Sequence, residues 1–330
     1  MSSSELLAGK RILVTGGAGF IGSNLVERLL ALNCRVIVLD NLSSGRIDNL
    51  PLHSRQLSFV KGDIRNQELA RKLARKSDMV FHLAEFIPNT EQSGPGHVIR
   101  FSTSKPIADL DVSVRGTLNI LESASQAHIK VVFASTAAVY GEPLESPIEE
   151  TMLTNPISPY GASKLAAEIY CRVFNRTYDL PVVIARLFNV YGPRQRKYLM
   201  HDILLKLRKN PNKLEILGSG NQQRDFIYVS DAVEGLILLA TEEKSCGDTF
   251  NLGTGIPTSV RRVVTSMAKI AGVKPEIEYT GHSWKGDIEI LVADIAKMRK
   301  IGFRPRTCLL KGIKEFTKWF QQVEQQQTCA

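Results

Sequence analysis

Six short apolar runs, each separated from the next by a longer connecting segment, constrain this chain more than any other feature. They are "RILVTG" (11–16), "RVIVLD" (35–40), "LSFVKGD" (57–63), "MVFHLA" (79–84), "KVVFAS" (130–135) and "PVVIAR" (181–186). Segments between them, such as "GSNLVERLLAL" (22–32) and "GTLNILESASQA" (116–127), carry apolar residues at helical spacing. Strand-like runs alternating with amphipathic helices build a parallel sheet covered by helices on both faces. The expected fold is therefore α/β, a doubly wound parallel sheet with a smaller C-terminal lobe. Residues 1–188 form the expected sheet domain, with a return near 225–255; residues 189–330 form mainly the second lobe, because the strand–helix rhythm lapses near 189. The segment "EFIPNTEQSGPGHVIRFSTSKP" (85–106) reads as a long connection after a strand end, where ligands of such sheets bind.

The first run leads into "GGAGFIG", with Gly16, Gly19 and Gly22 at spacing three. Glycine spacing alone says little; a strand before it and a helix after it change its meaning. In that setting backbone amides approach a pyrophosphate, and the helix N-terminus supplies the positive end of its dipole. The second run ends in Asp40, 24 residues after Gly16. A carboxylate there accepts hydrogen bonds from ribose hydroxyls and repels a 2′-phosphate, which favours NAD over NADP. Its alternative role is to start the turn "NLSSG". Asp63, in "GDI", is placed to lie beside the adenine. The arrangement predicts a Rossmann-type dinucleotide site.

Composition narrows the class. With 330 residues, 43% of them apolar, the chain can bury a full core. It has no run of about 18 apolar residues, and "MSSSELLAGK" lacks the plan of a signal peptide, so no membrane partner and a cytoplasmic location are expected. Cys34, Cys171, Cys246, Cys308 and Cys329 are scattered and read as reduced thiols, with no metal expected. The formal charge of +9 is concentrated in Arg194, Arg196, Lys197, Lys206, Arg208, Lys209 and Lys213, against Asp202 alone. With no helix-turn-helix pattern, this reads as a solvated basic face and not a nucleic-acid surface. His82 is expected to be structural.

Chemistry is carried by "SPYGASKLAAE" (158–168), which puts Tyr160 and Lys164 at i and i+4 on one helical face. An ammonium beside a phenol favours phenolate, so Tyr160 is expected to titrate nearer neutrality and to take a proton from a hydroxyl. Thr136, at the end of "VVFAST", adds a hydroxyl that either bonds the reacting oxygen or caps the following turn.

In order, "TGGAGFIG", "HLA", "STAAVYG", "YGASK", "RLFNVYGPRQ", "QQRDFIYVSDA" and "NLGTG" resemble the extended short-chain dehydrogenase/reductases of the NAD-dependent sugar epimerase/dehydratase family, over residues 10–320. The resemblance implies a tightly held NAD, with Phe20, Ile21, Asn41, Ile64, Leu83 and Ala84 joining the glycines, Asp40 and Asp63 around it. It makes Tyr160 a base and then an acid, sets Lys164 on the nicotinamide ribose, and has Thr136 orient the substrate hydroxyl. The implied substrate is a UDP-sugar, UDP-glucose or UDP-galactose, inverted at C4 through a 4-keto sugar. Asn189 and Arg224 match positions that contact the diphosphate, and Asp287 matches an acid near sugar or ribose hydroxyls. Leu291, four residues further, would flank the sugar and leave room for an N-acetyl group; it fits a core position in "IEILVA" equally well. A homodimer built on residues 112–127 and 160–178 is also implied.

Four features depart from the family pattern. Ser113 stands where many members have Asn, and Glu85 replaces the second Ala of "HLAA". Trp284 replaces an arginine three residues before Asp287, with Lys285 as a substitute charge. The connection from His82 to Gly116 is longer than in many members. Ala137 and Ala138 occupy the places of the Asp-Glu pair of 4,6-dehydratases, which speaks against elimination. A UDP-glucuronate 4-epimerase or decarboxylase, a C2 epimerase and an NAD-binding regulator remain as alternatives.

Overall fold

The computed structural model describes residues 3–86, 97–282 and 287–328. The six apolar runs form parallel strands β1 (Arg11–Thr15), β2 (Arg35–Asp40), β3 (Leu57–Lys61), β4 (Met79–His82), β5 (Lys130–Thr136) and β6 (Val182–Leu187). A seventh strand, Thr249–Leu252, pairs with β6, giving the order Thr249–Leu252, β6, β5, β4, β1, β2, β3. From β1 the chain winds outward through β2 and β3, then returns to β4 on the other side of β1. The crevice at that reversal, beyond the C-terminal ends of the strands, is where such sheets hold ligands.

Both faces of the sheet are covered. Helices Phe20–Ala31 and Val229–Thr241 bury one apolar cluster, which includes Val14, Leu25, Leu29 and Leu236. Helices Gln67–Ala74, Gly116–Ala127 and Pro159–Tyr178 bury the opposite one, with Leu13, Val80, Ile120 and Ala167. A third cluster, around Met200, Val263 and Phe316, joins helices Tyr198–Lys209, Val260–Ile270 and Leu309–Thr328. Beside it lies a small sheet centred on strand Gln223–Tyr228, flanked by Asn189–Tyr191, Pro257–Ser259 and Ile290–Leu291. None of the described helices is long and apolar enough to cross a membrane.

Two segments differ from expectation. Within the connection read as a loop, residues 87–96 lie outside the described residues, but His97–Ser104 and Pro106–Leu110 are helical. They continue through a π turn, Asp111–Arg115, into Gly116–Ala127. Pro106 occupies the first helical turn, where its missing N–H is no loss, so it starts a helix instead of breaking one. The strand Thr249–Leu252 was not expected as a strand: "TFNL" is half polar and acquires its conformation by pairing with β6. His82 is structural. Its Nδ1 and Nε2 meet the hydroxyls of Thr15 (2.6 Å) and Thr117 (3.0 Å), and burial, then the charge of Lys164, pushes its pKa down to about 3.

Candidate active site

A cavity of about 620 Å³ opens at the crevice and extends to the small sheet. Along it lie Gly16, Gly19, Phe20, Ile21, Gly22, Asp40, Asn41, Asp63, Ile64, Leu83 and Ala84. Thr136, Tyr160 and Lys164 border the same space, as do Asn189, Arg224, Asp287 and Leu291. Segments far apart in sequence thus contribute to one site.

The glycine turn is built by close approach. Gly16 has φ +69° and donates its N–H to Leu39 O at 2.9 Å. A Cβ on Gly16 would stand 2.8 Å from the Ala84 backbone, and one on Gly22 would stand 2.2 Å from Gly16 O. Helix Phe20–Ala31 begins with no side chain capping its first turn, and Gly19, Phe20, Ile21 and Gly22 face the cavity. Such a backbone cradle with unclaimed N-terminal donors fits a dinucleotide pyrophosphate. Asp40 does start the turn: Oδ1 accepts from Leu42 N–H at 2.8 Å, and Oδ2 accepts from Ala18 N–H at 3.0 Å, which ties the glycine loop to β2. Burial raises its pKa, and the two amides offset part of the rise. Asp63 is held ionised, at about 2, chiefly by hydrogen bonds from Arg65 and also by Asn41.

Helix Pro159–Tyr178 starts where the sequence dictates. Ser158 Oγ accepts from Gly161 N–H at 3.1 Å, and Pro159 follows the cap. Gly161 lets the helix seat against the turn after β5, because a Cβ there would lie 2.6 Å from Ala138 O. Of its two expected parts Thr136 shows the turn cap, its Oγ1 accepting from Ala138 N–H at 3.2 Å, and its side chain borders the cavity together with Tyr160.

The expected effect of Lys164 on Tyr160 is not what the structure shows. Lys164 Nζ lies 2.9 Å from Glu85 Oε2, with the two side chains only 5% and 9% exposed, and rests 4.4 Å from the centre of the Phe133 ring. Glu85 Oε1 accepts from Phe86 N–H at 2.7 Å and from the Ser113 hydroxyl. Burial, then the Glu85 carboxylate, pushes Tyr160 well above the usual phenol range instead of toward neutrality. Burial is the larger cause, and the residue at 85 adds to it: a carboxylate has taken the ammonium that was to favour phenolate. Glu85 and Ser113, two departures noticed separately in the sequence, thus touch each other.

A second charged group on the same helix escaped sequence reasoning. Glu168 accepts two hydrogen bonds from Arg186 (2.9 and 2.7 Å), one from Ser135 (2.6 Å) and one from Arg172 (2.6 Å). Arg186 also reaches Tyr140 OH, which donates to Asn251. This network locks the helix to β5 and β6.

At the small sheet, Arg224 and Leu291 are register partners on adjacent strands. Arg224 and Asp287, expected to serve the substrate separately, hold each other in a partly buried ion pair, and Gln222 Nε2 donates to Asp287 at 3.1 Å. Asn189 Nδ2 donates to Asp225 O at 3.4 Å. Asp225 is a hub that sequence reasoning missed: its carboxylate accepts from Thr254 N–H and Oγ1, Gly255 N–H and Ala293 N–H. "NLGTG" is shaped around it, since a Cβ on Gly253 would lie 2.4 Å from Asp225 Oδ2. Leu291 both belongs to the apolar core and borders the cavity. Trp284 and Lys285 lie outside the described residues. In the basic stretch Arg194 pairs with Glu27, Lys206 with Asp202, Arg208 with Glu324 and Lys213 with Glu278.

Comparison with known proteins places this geometry in a class. Residues 12–253 match the NAD dependent epimerase/dehydratase family. The UDP-glucose 4-epimerase of Mycolicibacterium smegmatis is 37% identical over 329 residues, covering 96% of this chain and 100% of that one. The structure resembles that of Thermotoga maritima UDP-glucose 4-epimerase with UDP-glucose (TM-score 0.86, 32% identity, 95% and 99% of the two chains). It also resembles Thermus thermophilus UDP-glucose 4-epimerase in complex with NAD (TM-score 0.81, 35% identity, 94% and 99%). The chain belongs to the NAD dependent epimerase/dehydratase family and is an NAD-dependent enzyme of the nucleotide-sugar class. Its relatives span several activities, among them a UDP-glucuronic acid decarboxylase of Arabidopsis thaliana, a UDP-N-acetylglucosamine 4-epimerase of Methanobrevibacter ruminantium and a dTDP-glucose 4,6-dehydratase of Streptomyces venezuelae.

Proposed function

We propose that this enzyme inverts C4 of a UDP-sugar, interconverting UDP-glucose and UDP-galactose and accepting their N-acetylated counterparts. The observation that carries this reading is that Tyr160 and Thr136 border one cavity with the glycine cradle, beside Ala137 and Ala138. Elimination chemistry would need acid–base groups at those two alanines; epimerisation needs none there.

The glycine turn, Asp40 and Lys164 would hold NAD, which when bound would supply a reversible hydride acceptor. Thr136 orients the C4 hydroxyl, and Tyr160 takes the O4 proton on the way to the 4-keto sugar and returns a proton to O4 once the sugar presents the opposite face of C4 for reduction. Asn189 and Arg224 hold the diphosphate, Arg224 by sharing the guanidinium that now rests on Asp287. Leu291 walls the sugar pocket without the bulk of an aromatic ring.

Incubating the protein with UDP-glucose, UDP-galactose, UDP-N-acetylglucosamine, UDP-glucuronate and dTDP-glucose, then resolving products by chromatography, tests the reading. C4 epimers are expected; a decarboxylated or dehydrated product alone would replace it. Tyr160→Phe should retain NAD and lower turnover by about 100-fold or more. A homodimer is proposed on the same helix, where Ile169, Tyr170 and Val173 are exposed apolar side chains. A monomer mass by light scattering at micromolar concentration rules it out.

A further inference from the structure

The Tyr160–Lys164 pair has neighbours that its proposed role does not use. Among the described residues, the ionisable groups that face it are Glu85 after β4, His82 on β4, Asp109 on helix Pro106–Leu110, Tyr198 at the start of its helix, and Cys171 two turns along from Lys164. Only Glu85 among the described residues makes an ion pair with Lys164. Its carboxylate is fixed from both sides: Oε1 takes the Phe86 amide and the Ser113 hydroxyl, and Oε2 rests on the ammonium. Ser113 is itself buried on the π turn, and Thr117 donates to its carbonyl from the next turn.

We propose that Glu85 is a positioning residue for the Tyr160–Lys164 pair: pinned by Ser113 and the Phe86 amide, it holds the Lys164 ammonium in a buried ion pair and so controls when Tyr160 acts as a base. An ammonium whose field is cancelled by a contacting carboxylate stabilises a nearby phenolate weakly, and the carboxylate opposes the phenolate directly. Both effects keep the proton on Tyr160. The resting enzyme therefore holds Tyr160 as the neutral phenol, prepared for the acid half of its cycle. The base half is reached more readily as pH rises or when Glu85 is neutralised. The identity of Tyr160 as the proton carrier rests on the proposed function; its ionisation can be read without it.

Tyrosinate absorbance of the NAD-bound protein, titrated with base and differenced against Tyr160→Phe, isolates Tyr160. The same difference is then taken in a Glu85→Gln background, which removes the charge while leaving an oxygen for Ser113 and Phe86. The Tyr160 midpoint is expected to fall by about one pH unit or more, and the acid limb of kcat to move with it, while KM for the UDP-sugar changes by less than about twofold. Glu85→Asp, which keeps the charge, should leave the midpoint nearer the wild-type value. An unmoved midpoint in Glu85→Gln, or equal shifts in Glu85→Gln and Glu85→Asp, overturns the proposal. If Glu85→Gln does not fold, Ser113→Ala loosens the same carboxylate and should shift the midpoint less in the same direction; no shift there is equally fatal. Failure of the functional reading looks different: the midpoint moves, but no UDP-sugar turns over at any pH.

Discussion

Two buried ion pairs grip helix Pro159–Tyr178 one turn apart, and they are built differently. Glu168 and Arg186, with side chains 0% and 3% exposed, meet through two parallel hydrogen bonds, and Ser135, Arg172 and Tyr140 occupy the remaining capacity. Glu85 and Lys164 meet through a single contact at the edge of the cavity. The first pair is closed on itself and joins β5, β6 and the helix. The second borders space that a ligand enters, and its ammonium has donors left to offer. Burial alone does not separate a charge that holds the fold from one that serves the site; saturation of the partners does.

Removing one member of each pair is the strongest way to break this contrast. Arg186→Met removes both parallel hydrogen bonds from Glu168 in a dry interior, leaving it Ser135 and Arg172, and also leaves Tyr140 without its donor; the expected loss is about 3–5 kcal/mol, read from denaturant midpoints. Lys164→Met strands Glu85 beside a cavity that water reaches, with two hydrogen-bond donors still in place; the expected loss is about 1–3 kcal/mol. Equal losses would make the two pairs the same kind of object.

Asp109 sharpens the contrast because it lies near the second pair yet belongs to neither. Burial raises its pKa to about 6, the Glu85 charge adds to the rise, and Ser163 and Lys164 offset part of it. A carboxyl whose folded pKa lies above its ordinary value binds protons more tightly when folded. Its stabilising share is complete below about pH 3.8 and is lost as pH rises through about 6. Two units correspond to about 3 kcal/mol at most. Asp109→Asn should therefore stabilise the protein at pH 7.5 and do little at pH 4, measured by thermal unfolding at both; a gain of the same size at both values would remove the titration from the account.

The same division decides what the sequence reveals. The six strands and the glycine turn are legible because a buried parallel strand is a continuous apolar run and because a close backbone approach admits only glycine. Tyr160, Lys164 and Thr136 are legible because their spacing on one helix and at one strand end is local. The Glu85–Lys164 contact joins residues 79 positions apart, and Arg224–Asp287 and Asp225–Thr254 are likewise set by tertiary placement. Each residue type was visible; no local spacing says which opposite charge it will meet. "TFNL" and the helices at 97–110 were hidden for a related reason, since pairing and packing override short, polar, proline-containing stretches.

Asp40 extends the comparison to the cofactor side, where one carboxylate both closes a loop and faces the cavity. Its two amide contacts leave lone pairs on each oxygen, so structural use does not exclude ligand use. Asp40→Ala should reduce the preference for NAD over NADP by about tenfold, the scale of a lost charge-assisted contact and a relieved repulsion. Binding titrations with both dinucleotides check this. An unchanged ratio alongside a lowered Tm would make Asp40 a loop anchor only.

Leu291 presents the same double use with no charge at all, and its expected effect is the smallest. It sits on a two-residue strand opposite Arg224, packs into the core with Ile288 and Ala293, and borders the cavity. A core residue resists enlargement: added atoms force neighbours off their rotamers and cost about 1–3 kcal/mol. A residue that walls a pocket accepts enlargement by filling the pocket, and the cost appears in the ligand that no longer fits. Leu291→Tyr separates the two. If the wall role holds, kcat/KM for UDP-N-acetylglucosamine should fall by about 10-fold relative to UDP-glucose, the discrimination typical of a few atoms in an apolar pocket, while Tm changes little. A large drop in Tm with both substrates reduced alike would place Leu291 with the core and leave the N-acetyl tolerance to other residues of the pocket.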